Sequence, residues 1–267
     1  MHGCTCGPCT SPQALSGATA PSSSVSRVLA ARSKELIRRF GRTTIGKTVV
    51  YASVLRDPAR MRFSQVEAWP DGVRGFEDLA FLFSSNQLNH GIASLQIDEA
   101  ALLYSLARNA QSGPFAEIGR FKGGSTFVFA SALPEGIELW SYDLHVALSP
   151  DLPGELLDAE LQAALERYGL AHKVHLLVAD SRKVEPPGPL EVLFIDGDHT
   201  YEGAKADFDR WGEFVRPGGH LLFHDAVDAG GYGNAYPGIV RLRGEVEANA
   251  AWNRLPGAGS IAHFTKR

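Results

Sequence analysis

The chain is short of cysteine, of net charge and of long apolar runs. Its 267 residues include 3 cysteines, Cys4, Cys6 and Cys9, all at the extreme N-terminus, so no disulfide can staple the body of the fold. With His2 they have the close thiolate spacing that suits a soft metal. They stand, however, in a Ser-, Pro-, Gly- and Thr-rich stretch, residues 1–24, that offers no second layer of groups to orient ligands, and a disordered tail is the expectation. No apolar run is long enough to cross a bilayer. The N-terminus lacks the basic start and continuous apolar segment of a signal peptide, so the expectation is a cytoplasmic protein without a membrane partner. A formal charge of −4 and a pI near 6.1 give no reason to expect nucleic acid. With 44% hydrophobic and 21% charged residues, the chain can bury one large core.

A buried strand is also missing where one motif needs it. "GRTTIGKT", Gly41 to Thr48, fits the phosphate-loop pattern G-x-x-x-x-G-K-[ST] letter for letter. That loop works only between a strand and a helix, because its backbone N–H groups must converge on phosphate. Upstream lies "SRVLAARSKELIRRF", whose Val28, Leu29, Leu36, Ile37 and Phe40 have helical spacing and leave a cationic face. The match reads as coincidence, and a phosphate-loop nucleotide-binding protein stays as the alternative. Residues 25–95 read as a basic helical extension, which with "FSSNQLNHGI" forms a lid or a homo-oligomer contact. Trp69, Phe76, Phe81 and Phe83 line an acceptor pocket or, as aromatics at such spacing usually do, pack in the core.

From Gln96 to the C-terminus, residues 96–267, strands and helices alternate. "QIDEAALLYSLARNA" reads as a helix capped by Asp98, with Leu102, Leu103 and Leu106 on one face. "PFAEIG", "GIELWSYDLH", "HKVHLLVADS", "PLEVLFIDGDH" and "HLLFHDA" read as strands, "RPGG" as a turn, and "WNRLPGAGSIAHFTK" as two closing strands. Such alternation implies an α/β fold, a mostly parallel sheet with helices on both faces and ligands beyond the carboxyl ends of the strands.

The strand ends are rich in polar residues. Glu117 precedes Gly119, Gly123 and Gly124, whose spacing is not the G-x-G-x-x-G dinucleotide fingerprint. A carboxylate at a pyrophosphate-binding mouth would cost on the order of 4 kcal/mol at 4 Å separation, whereas it would attract an ammonium and a sulfonium. This favours S-adenosylmethionine over NAD or ATP. Asp143 is placed to accept hydrogen bonds from ribose hydroxyls, and Asp180 with Ser181 to read an adenine. Asp196, Asp198, His199, His224 and Asp225 end the fourth and fifth strands, whose tips lie close enough to converge. Asp196, His224 and Asp225 could bind a divalent ion, and His199 could act as general base.

"EIGRFKGGST", "FIDGDHTYEGAKADF" and "RPGGHLLFHDA…YPGIVRL" together resemble the class I S-adenosylmethionine-dependent methyltransferases, in particular the sugar O-methyltransferases of macrolide and aminocoumarin pathways. The resemblance implies a Rossmann-like, seven-stranded sheet with an antiparallel last strand. It places Glu117, Gly119, Phe121, Gly123 and Ser125 at the methionine end of the cofactor, Asp143 at the ribose, and Asp180 and Ser181 at the adenine. It also implies magnesium on Asp196, His224 and Asp225. The histidine departs from the family's oxygen ligands and leaves manganese or no metal as alternatives. The expected reaction is in-line methyl transfer to a hydroxyl of a small molecule, a sugar or glycosylated natural product, with His199 or else Asp198 as base. A non-catalytic cofactor-binding protein of the same fold is a further alternative.

Overall fold

The structure is a computed structural model that describes residues 62–66, 69–83, 91–145, 153–228 and 235–267. These residues belong to one compact unit, Ser53–Arg267, and the other unit, Met1–Ala52, lies outside them. The cysteine tail, "GRTTIGKT", the basic helix and most of "FSSNQLNHGI" therefore fall outside the described residues.

Short apolar runs form the strands. β1 (Phe115–Ile118) and β4 (Leu190–Ile195) are buried along their whole length, which is what strands covered on both faces require. With β2 (Leu139–Asp143), β3 (Val174–Val178), β5 (Val215–Phe223), β6 (Trp252–Leu255) and β7 (Ala262–Lys266) they make a seven-stranded sheet in the order β3-β2-β1-β4-β5-β7-β6. β1 to β5 pair in parallel, and β7 runs antiparallel to both of its neighbours. "RPGG" is not a turn between elements but part of β5. The register against β4 shifts between Leu190 and Val192, and this irregularity absorbs the extra residues within the strand.

Side-chain alternation divides the sheet between two cores. On one face, Phe115, Val192, Phe194 and Leu222 pack with α1 (Ile97–Arg108), α2 (Gly124–Ala132) and α3 (Gly154–Arg167) through Leu103, Phe127, Phe129 and Leu161. On the other, Ile118, Leu193, Ile195 and Phe223 meet α4 (Tyr201–Trp211) and α5 (Pro237–Ala248) through Ala204, Trp211 and Leu242. α2 is buried nearly all round because it lies under α1 as well as on the sheet.

One local reading changes. The cap of α1 is Gln96, not Asp98: Gln96 and Glu99 close a reciprocal capping box, so the helix starts before the expected residue. Its buried face is Ala100, Leu103, Tyr104 and Ala107, with Leu102 and Leu106 only partly covered. Trp69, Phe76, Phe81 and Phe83, partly buried, pack against the core, the second of the two readings given for them; Trp69 meets Phe81 at 5.4 Å and Phe76 meets Tyr104 edge-on at 5.5 Å. Phe63, Leu79 and Leu82 join the same core, so the packed body includes residues well upstream of Gln96.

Candidate active site

Parallel pairing carries one residue past each strand and sets the candidate residues level. Gly119 N–H donates to Tyr142 O at 2.8 Å, Asp196 N–H to Ile118 O at 2.8 Å, and His224 N–H to Ile195 O at 3.1 Å. Gly119 has φ +87°, and a Cβ there would sit 2.3 Å from the Asp196 carbonyl oxygen. The glycine loop and the acidic tip of β4 are thus in backbone contact, which only glycine permits.

Beside that contact, Asp196, His199, His224 and Asp225 converge. His224 Nδ1 lies 3.0 Å from Asp196 Oδ1 and 3.6 Å from Asp225 Oδ1. His199 Nε2 lies 3.5 Å from Asp196 Oδ1 and 3.3 Å from Asp225 Oδ2, yet it is buried and aligned to hydrogen-bond with neither. Ligand atoms of Asp196, His199 and His224 all fall within 4.8 Å of one another. Asp225 adopts φ +53°, an uncommon conformation for a residue with a side chain, and its N–H donates to Ser260 Oγ at 3.2 Å. Holding a residue there costs on the order of 1–3 kcal/mol, and such strain gathers at functional sites.

The charges in this cluster are coupled. Burial alone would lower the pKa of His199, but Asp196 and Asp225 outweigh it and raise it to about 9. His224 is likewise lifted well above its ordinary value against the cost of burial, chiefly by the charge of Asp196, with Glu99 and Asp225 assisting. Burial would raise Asp196, and the two histidines instead hold it down to about 2. Asp196 and Asp225 thus favour the protonated imidazole of His199, which lies between the two carboxylates. The carboxylate of Asp198, the alternative base, accepts the Thr200 N–H at 2.9 Å in the turn that enters α4, and its side chain lies over Gly203.

The other expected residues hold the loops. Glu117 is not at the loop mouth but fully buried, accepting hydrogen bonds from Ser125 Oγ at 2.5 Å, Thr126 Oγ1 at 2.6 Å and Ser141 Oγ at 2.5 Å. Burial pushes its pKa up, and the three hydroxyls counter this only in part. Asp143 Oδ2 accepts the backbone N–H groups of Arg120 and Phe121 at 2.9 and 3.0 Å, so it braces the glycine loop from the neighbouring strand. Gly123 at φ +82° packs on Leu161, leaving Phe121 exposed at the surface of the loop. Asp180 is ion-paired with Arg182 and Lys183, and Arg182 holds its carboxyl well below the usual range. Ser181 donates to Asp207 Oδ1 at 2.5 Å, tying β3 to α4.

Two participants had no signal at the strand ends. Glu99, from α1, brings Oε2 to 3.3 Å from His224 Nε2 while Oε1 accepts the Ser260 N–H and Oγ–H at 2.6 and 2.7 Å. Tyr236 lays its half-exposed ring 4.4 Å from that of His199, and its N–H donates to Asp225 O at 2.9 Å. Glu99 was legible only as a capping residue, Tyr236 only as a residue ahead of a proline-led helix.

Residues 116–226 match the family model of a methyltransferase domain. A catechol O-methyltransferase of Niastella koreensis is 24% identical over 177 residues, 62% of this chain and 73% of its own. A mimivirus protein, R132 of Acanthamoeba polyphaga mimivirus, is 31% identical over 62 residues, 23% of this chain and 28% of its own length. Among solved structures, an O-methyltransferase from Bacillus cereus in complex with SAH superposes with a TM-score of 0.51 at 17% identity, covering 82% of this chain and all of that one. The seven-stranded sheet with its antiparallel last strand matches the Rossmann-like fold of that O-methyltransferase structure.

Proposed function

We propose that the chain, an S-adenosylmethionine-dependent methyltransferase by its 116–226 domain, methylates a hydroxyl of a small molecule, with the sugar of a glycosylated natural product as the acceptor class. The observation that carries the reading is the juxtaposition of the Gly119 loop with the Asp196–His199–His224–Asp225 cluster across one backbone contact. A donor on the loop and an acceptor at the cluster would meet there. The named relatives, an O-methyltransferase with SAH and a catechol O-methyltransferase, support the same chemistry.

The tips of β1 to β3 would hold the cofactor. Gly119, Phe121, Gly123 and Ser125 would surround its methionine end, with Glu117 acting behind Ser125 rather than by direct contact. Asp143 faces the ribose and Asp180 with Ser181 the adenine, beside the exposed apolar side chains of Leu144 and Val178. Bound there, the cofactor would supply an activated methyl group to an acceptor oxygen held behind it: a C–O bond would form as the S–C bond broke, leaving a neutral thioether and a hydroxyl proton to be taken up. That proton would pass to His199, which lies between the carboxylates of Asp196 and Asp225. Magnesium, which the resemblance implies here, prefers oxygen ligands in an octahedron; two imidazoles do not fit it.

The test is a calorimetric titration with S-adenosylhomocysteine, with ATP as control. Micromolar binding of the first and none of the second is expected, and His199→Ala should then lose turnover while keeping that binding. ATP binding without S-adenosylhomocysteine binding would transfer the function to "GRTTIGKT" and sink this reading.

A further inference from the structure

We infer that Lys122 is a cofactor-binding residue of the glycine loop, whose ammonium receives the carboxylate of the donor's methionyl group. The inference rests on the proposed function and names the cation that would hold the one anionic group of that donor.

The loop between β1 and α2 carries two cations, Arg120 and Lys122, each 3% exposed. Their surroundings differ. Arg120 Nε donates to Asp158 Oδ1 at 2.7 Å, and the rest of its guanidinium reaches Asp158 Oδ2 and the carbonyl oxygens of Ser141 and Leu177 at 2.8 and 3.1 Å, so its charge is matched and its donors are engaged. Lys122 has no carboxylate partner among the described residues. Its Nζ donates to Gly91 O at 3.3 Å and lies 4.9 Å from the centre of the Phe121 ring, which leaves hydrogen-bonding capacity of the ammonium unused. An ammonium taken out of water without a counter-charge is costly, and burial pushes this one down to about 7 with no acid to hold it up. A ligand that brings the missing charge gives such a group its reason to be there.

The loop presents Lys122 from a braced turn. Asp143 accepts the N–H groups of Arg120 and Phe121, and the Gly123 N–H donates to Arg120 O at 2.7 Å. Phe121 and Gly123, the two chain neighbours of Lys122, are the residues proposed above for the methionine end. Of the charges at that end of S-adenosylmethionine, the ammonium and the sulfonium would be repelled by Lys122, and the carboxylate alone would complete it.

The test is calorimetry on the full chain with two ligands, S-adenosylhomocysteine and S-adenosyl-3-thiopropylamine, which is the same molecule without its carboxylate. The parent protein should prefer the first by roughly 10–100-fold, the size of a charge-assisted contact. Lys122→Met keeps the length and apolar stem of the side chain, and it should bring the two affinities within about 3-fold by weakening the first alone. Removing an uncompensated buried charge should also leave the urea midpoint of unfolding unchanged or raise it, whereas loss of a residue kept for its bond to Gly91 would lower it. The inference is overturned by a preference that survives in Lys122→Met, by equal weakening of both ligands, by a lowered urea midpoint, or by a loss seen only in the acceptor KM. A parent protein that binds both ligands equally defeats this inference alone; one that binds neither defeats the methyltransferase reading and this inference with it.

Discussion

Glu99 and His224 are 125 residues apart in the chain, and their side chains meet at 3.3 Å in the interior. The contact joins the helix preceding the sheet to the tip of its fifth strand. It is closed by Ser260, which gives both its N–H and its hydroxyl hydrogen to Glu99 and accepts the N–H of Asp225 on its oxygen. Burial would raise the pKa of Glu99, and these partners, His224 foremost, lower it instead. A capping residue of α1 thus also sets the orientation of a histidine in the candidate active site.

The buried Glu117 yields a prediction about stability. Glu117→Ala would leave three hydroxyls without an acceptor and a void beneath α2, so unfolding in urea should show a loss of ~3 kcal/mol or more. Glu117→Gln keeps the volume and one acceptor oxygen and should cost clearly less. Equal losses in the two variants would mean that the hydroxyl network contributes little.

Tyr236 is predicted to act on the acceptor and not on the cofactor. Its half-exposed ring beside His199 offers a flat apolar surface at the proposed acceptor position. Tyr236→Ala should raise the acceptor KM by roughly 3–10-fold, the range of an aromatic contact, while S-adenosylhomocysteine affinity stays put. Tyr236→Phe should behave like the parent protein. A change confined to cofactor affinity would refute the placement.

The pair His220 and His263 predicts a pH effect far from the active site. His220 Nδ1 and His263 Nε2 are 3.0 Å apart, and burial lowers both, His263 to about 4. Between pH 6.5 and about 4 the unfolded chain binds a proton on His263 that the native chain refuses, so stability is full above that window and falls as pH drops through it. The loss should reach up to ~3 kcal/mol across the window. His263→Gln should flatten the dependence of urea midpoint on pH between about 7 and 5, after correction for its own offset. An unchanged slope would place the acid sensitivity elsewhere.

The sheet was readable because strands buried on both faces are short, apolar and separated by helices of clear period. Every strand from "PFAEIG" to "SIAHFTK" has its counterpart. The convergence of Asp196, His224 and Asp225 was readable for the same reason, since it follows from strand ends. What the residues do at those ends was less legible. Glu117, Asp143 and Ser181 are the polar types a ligand would want, yet each is engaged by nearby hydroxyls, amides or a carboxylate, and which partner wins depends on distances that sequence does not carry. Glu99 was hidden by its remoteness, and Asp198 by the helix-entry turn it makes just beside His199. The "RPGG" segment was misjudged because glycine and proline mark a bulge as readily as a turn.

The approach of Gly119 to the Asp196 carbonyl works as a fixed caliper. Its two jaws are the ends of adjacent strands, locked in register from Phe115↔Val192 to Ile118↔Ile195, so the gap between them is set by the sheet and not by any side-chain rotamer. A molecule seated on one jaw keeps a constant reach to a molecule seated on the other. Acceptor range can then evolve in the surrounding loops without recalibrating the distance over which a group is passed.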